Sequence, residues 1–66
     1  MDPEQAWRDL ADAINADDQE SAVQLAYDLR QWLALDGFPP KLSPHPAFNR
    51  MVVHHVCLSI VTGSFR

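Results

Sequence analysis

Cysteine, glycine and basic side chains are all scarce in this 66-residue chain, and each scarcity excludes something. The single cysteine, Cys57, leaves no internal disulfide to staple the fold, which agrees with a reducing compartment. Two glycines leave no glycine-rich phosphate-binding loop, and no G-x-S-x-G nucleophile motif occurs. Five basic residues against nine acidic ones give a net charge of −4. Scattered as they are, those cations cannot form the stripe that neutralises several phosphates, so nucleic acid is not an expected partner. No apolar run approaches the roughly 20 residues of a membrane span, and the acidic N-terminus is unlike the basic start of a secretory signal. The expectation is a cytoplasmic protein with no membrane partner.

What is present is helix patterning. Asp2 is a fitting N-cap, Pro3 suits the first helical position, Glu4 suits the positive end of the dipole, and Gln5 completes a capping-box pattern. Trp7, Leu10, Ala11 and Ile14 then fall at the i, i+3, i+4, i+7 spacing of one helical stripe. A second start follows at once, with Asp17 and Glu20 spaced as a capping box and Asp18 beside them. A link this short makes the two helices antiparallel neighbours. The second stripe is Ala22, Leu25, Ala26, Leu29, Trp32 and Leu33, with Gln24, Asp28, Arg30 and Gln31 on the wet side. Gly37 is the expected left-handed stop, with Phe38 folding back onto Leu33, before Pro39 and Pro40 forbid continuation.

Residues 38 to 46 hold four of the five prolines and read as a stiff, extended connector. Pro40 and Pro44 stand four apart, which does not fit a Pro-x-x-Pro ligand. From Phe48 to Thr62, β-branched residues are frequent enough that a strand carrying Val52, His54, Val56, Leu58 and Ile60 on one face is an alternative. A helix is the preferred reading, because the segment is long for a strand and a single strand has no partner in this chain. Its stripe is Phe48, Met51, Val52, His55, Val56, Ser59 and Ile60, with Val53 and Cys57 on the flank, Pro46 at its start and Gly63 at its stop.

The predicted fold is therefore all-α: one domain spanning residues 1–66, with an antiparallel hairpin and a third C-terminal helix. The helices are expected near 3–15, 18–36 and 46–62, with Phe48, Met51, Val52 and Val56 covering the groove of the hairpin. A core this small leaves little surplus over conformational entropy, so either the helices pack very well or the chain buries surface against another. Charge is uneven: residues 1–36 carry all nine acids and a net −7, whereas residues 37–66 carry Lys41, Arg50 and Arg66 and no acid.

Few residues invite chemistry. A metal site or a thiol-dependent module built from His45, His54, His55 and Cys57 is the alternative reading. Zinc wants three or four ligands, however, and adjacent histidines on a helix point about 100° apart. Cys57 reads first as a small core residue, with His54 three positions before it. Asp9, Asp12 and Asp28 sit on polar faces where a carboxylate stays solvated rather than tuned for acid–base work. No catalytic residue, cofactor or small-molecule substrate is expected. Trp7 and Trp32 dominate the apolar content of the hairpin and are the residues that either lock the core or meet a partner.

The pattern W-x-x-L at Trp7 and Leu10, with Ala11 and Ile14, then Ala22, Ala26 and Leu29, resembles a degenerate tetratricopeptide-type hairpin over residues 7 to about 35. The same residues, with Trp32-Leu33 and Gly37-Phe38-Pro39-Pro40, also look like small bacterial helical proteins of unknown function. Either resemblance implies scaffolding or partner binding. The functional expectation is a non-enzymatic module that self-associates or docks to a protein partner, a toxin-neutralising partner being one such case.

Overall fold

The structure, a computed structural model, describes residues 1–63; Arg66, counted above among the C-terminal cations, lies outside them. Three helices make up the fold, α1 (Pro3–Asn15), α2 (Gln19–Ala34) and α3 (Pro46–Val61), and among the described residues there is no strand. The all-α, three-helix architecture is thus as expected, and the β-branched segment after Phe48 is helical.

Each helix start follows from its residues. The Asp2 carboxylate accepts hydrogen bonds from the backbone N–H of Glu4 (3.1 Å) and Gln5 (3.3 Å). The reciprocal half of the capping box, an Asp2 N–H donated to the Gln5 side-chain oxygen, is absent among the described residues; the Gln5 NH2 donates to Asp9 Oδ1, one turn on. At α2 the cap is Asp18 rather than Asp17: its Oδ1 accepts from the Ser21 N–H, and bonding from Ser21, its hydroxyl first and its backbone N–H second, holds the carboxyl below the ordinary carboxylate range. Asp17 has a different task. It adopts φ 55°, and the bonds Asp17 N–H to Ile14 O and Asp18 N–H to Ala13 O complete a Schellman motif at the end of α1. Two consecutive aspartates thus end one helix and begin the next.

The end of α2 repeats the device one residue earlier than expected. Asp36, at φ 67°, takes the left-handed position, with Asp36 N–H bonded to Leu33 O and Gly37 N–H to Trp32 O. Gly37 serves another purpose, since a Cβ there would lie 2.4 Å from Trp32 Cε2. The missing side chain lets the indole lie across the turn. Its Nε1 donates to Phe38 O at 2.9 Å, and Phe38 meets the indole edge-on, with ring centroids 5.9 Å apart, instead of folding onto Leu33.

α2 is the central element: α1 and α3 each pack on it and not closely on one another. Its inner row, Ala22, Ala26, Leu29 and Leu33, is buried as expected, while Leu25 and Trp32 flank it half-buried. In α1 the buried positions are Pro3, Leu10 and Ala13, with Ala6 and Trp7 half-buried; Ala11 and Ile14, expected inside, are exposed. The link at residues 16–18 accounts for the rotation, because it draws the last turn of α1 against the first turn of α2, where the small Ala13 allows close approach.

α3 is rotated as well. Asn49, Val53, Cys57 and Ile60 form its buried row, whereas Phe48, Met51 and His55 are exposed and Val52, Val56 and Ser59 are half-buried. Phe48 and Met51 therefore do not cover the hairpin. Two polar residues set this rotation. Asn49, only 2% exposed, accepts from Ser43 Oγ at 2.7 Å and donates to Ser43 O at 2.9 Å, clamping the connector. Arg50 reaches back to α2, donating to Leu33 O at 2.8 Å and Gly37 O at 2.7 Å, with Asp36 Oδ1 4.0 Å away. A cation on the carbonyl end of α2 also complements its dipole. From residue 38 to 45 the connector lacks helix or strand, Pro46 already belonging to α3, but Pro40 is fully buried rather than laid on the surface.

Two measurements check these assignments. Gly37→Ala should lower the thermal midpoint, at a cost of about 1–3 kcal/mol for overpacking against Trp32, whereas Asp17→Gly should raise it, with a gain in stability of up to about 1 kcal/mol, by relieving a left-handed aspartate. Arg50→Met, which keeps the aliphatic stem and removes both donors, should cost about 1–3 kcal/mol in urea unfolding, because it strips the Leu33 and Gly37 carbonyls of their partner.

Candidate docking groove between α2 and α3

A second stripe runs along each of the two C-terminal helices, beside the buried one. On α2 it is Tyr27, Arg30, Gln31 and Ala34; on α3 it is Ala47, Arg50, Met51, His54 and His55. Both follow helical spacing, so each stripe lies on one face, and the two faces meet in an open groove of about 750 Å³ floored by Leu33. Tyr27 and Met51 face it at 55% and 51% exposure. No α1 residue lines it.

The electrostatics of the groove are one-sided. Its lining holds two arginines and two histidines and no aspartate or glutamate, in a chain with net charge −4. Arg50 is committed to the α2 carbonyls, whereas Arg30 makes no hydrogen bond or ion pair among the described residues. Arg30 is therefore the available cation. A smaller cleft of about 310 Å³ lies over the connector, lined by Glu4, Phe38, Pro39, Lys41, Ser43, Pro44, Pro46 and Asn49. Its buried amide is already satisfied by Ser43, so it offers an incoming ligand little.

The residues singled out from sequence are dispersed. Trp7 and Trp32 are both half-buried and packed against the core, both toward the open end of the hairpin, and neither lines the groove. Cys57 is buried while His54, His55 and His45 are exposed, and His45 lies at the start of α3, away from the groove lining. Among the described residues, no three His, Cys, Asp or Glu side chains gather closely enough to hold a metal ion. Asp9 and Asp28 each accept from a glutamine one turn earlier, and Asp12 is exposed on the same helix as Asp9. No described helix is long and apolar enough to cross a membrane. Sequence reading missed Tyr27 altogether and counted Arg30 only as part of a wet face. The signal that marks them is the repeat 27, 30, 31, 34, parallel to the core stripe.

Burial pushes the Cys57 thiol up to about 11, against a smaller opposing pull from the Arg30 charge. The thiol is therefore neutral at physiological pH, which is the inert state. The sign of the linkage follows: this contribution to stability is intact below pH 9, the thiol's ordinary range, and is lost as pH rises toward 11. Native protein should thus react with a thiol reagent only as fast as it opens, and Cys57→Ala should flatten the alkaline fall in the thermal midpoint between those two pH values. Rapid stoichiometric labelling of folded protein at neutral pH contradicts both.

Compared with family models, with curated proteins and with solved structures, the chain matches none.

Proposed function

We propose that this chain is a non-enzymatic protein-docking module of the cytoplasm and that the groove between α2 and α3 is the surface through which it docks. The observation that carries this reading is the pair Tyr27 and Met51, each about half exposed, on opposite walls of one open groove (55% and 51%). An aromatic ring and a flexible thioether facing one another across a concavity are the side-chain types enriched at protein interfaces. Ala34 and Ala47 leave the walls low enough for an incoming side chain, and Arg30 supplies an unengaged charge at the rim. The small three-helix core adds weight, because a docked partner would bury apolar surface that the chain alone leaves in water.

A photo-crosslinking amino acid at position 51, compared with one at the exposed, groove-remote position 24, tests this reading in cells that make the protein. Position 51 should give one dominant protein adduct and position 24 none. Equal adduct patterns at the two positions, or no adduct at either, would remove the groove as a docking surface.

A further inference from the structure

Resting on the groove's being a docking surface, we infer that its occupant is a second copy of this chain, joined head to tail through the acidic outer face of α1. The charge distribution carries the inference. All nine acids precede Gly37, and the groove contains none. Glu4, Asp9 and Asp12 stand exposed on α1 with Arg8 as the one base among them, and this helix contributes nothing to the groove, so a net acidic face and the cationic groove occupy separate parts of one surface. Within the chain these charges do not neutralise one another: the sole ion pair among the described residues joins Arg50 to Asp36, at 4.0 Å. Exposed Ala11 and Ile14 form an apolar edge of α1 on the side of Glu4, while Asp9 and Asp12 lie farther round the exposed arc, beyond Arg8. An amphipathic acidic helix is therefore available in every copy, and a groove with apolar walls and a free arginine is available in every other.

Groove-to-groove pairing about a two-fold axis is opposed by the same groove, since it sets Arg30 against its equal. Head-to-tail contact sets unlike charges together instead. Such a contact is heterologous, because each copy offers one face and receives on another, so it extends stepwise unless its rotation happens to close a ring. Exposed charges at its rim make it weaken as salt screens them.

Sedimentation of the intact protein from micromolar to millimolar concentration, at low and at high salt, provides the test. The weight-average mass should climb beyond a dimer at low salt and fall back at high salt. Arg30→Glu, or Arg30→Gln should the charge reversal perturb folding, should weaken association by about tenfold or more, as should Asp9→Lys with Asp12→Lys, each with helical circular dichroism unchanged. The decisive sample is a mixture of Arg30→Gln, whose groove is neutral and does not attract a basic α1, with the Asp9→Lys, Asp12→Lys double variant. The first keeps its acidic α1 and the second keeps its groove, so together they should form a one-to-one pair that cannot grow. A chain that stays monomeric throughout overturns the inference, as does a mass that levels at dimer or association that survives both sets of substitutions. If the crosslink at position 51 still captures a different protein, the groove stands as a docking surface and only its occupant was wrongly assigned.

Discussion

The guanidinium of Arg50 holds the C-terminal half of this fold to the N-terminal half. Its two nitrogens lie on Leu33 O and Gly37 O, carbonyls that belong to the end of α2 and to the turn beyond it, so one side chain of α3 takes up acceptors that helix ends leave open. Beside it, Asn49 binds Ser43 twice and fixes the connector against the start of α3. The two adjacent residues act in different directions, one toward α2 and one toward the connector. Together they leave α3 with a single rotation about its axis. That matters because α3 is apolar nearly all round, and burial alone scarcely distinguishes one face from the next. The polar anchors decide that Val53, Cys57 and Ile60 enter the core and that Phe48, Met51 and His55 do not.

This explains where the sequence was readable and where it was not. Helix starts were legible because an N-cap is a local event: Asp2 and Pro3 act on the first turn whatever happens elsewhere. The existence of α2 and its inner row were legible for a similar reason, since Ala22, Ala26, Leu29 and Leu33 recur at helical spacing within the helix itself. The face of α3 was not, since its orientation depends on Arg50 meeting carbonyls 13 and 17 positions away in sequence. Spacing within one helix holds no trace of that meeting. The rotation of α1 was hidden for another reason: Ile14 is the more hydrophobic residue, but Ala13 is the one that fits where a three-residue link presses two helices together.

The turns show a related displacement. Glycine was the natural choice for the left-handed position after α2, yet Asp36 occupies it and Gly37 sits one residue later. Aspartate tolerates that conformation better than most residues, which frees the glycine for a position that no side chain can occupy at all. The indole of Trp32 fills the resulting space and bonds to Phe38 O. Arg50 binds Gly37 O and stands 4.0 Å from Asp36 Oδ1, so the same turn serves a helix cap, an aromatic contact and the anchor of α3. A small protein without disulfides gains order by loading several constraints onto one short segment.

The groove follows from that economy. Because α2 is central and α1 and α3 flank it without packing closely on each other, one face of α2 can serve the core while the adjacent face, Tyr27 to Ala34, meets only α3. The rotation that Arg50 imposes on α3 turns Met51 and His54 toward that adjacent face. Had the larger side chains Phe48 and Met51 been buried as hydrophobicity alone favours, the walls would close over one another and the concavity would vanish. Polar anchoring of α3 therefore produces both the packed interior and the open apolar surface beside it. Arg50 belongs to the stability of the fold and to the shape of the site at once, which leaves Arg30, with no hydrogen bond or ion pair among the described residues, as the charge that an incoming surface would read.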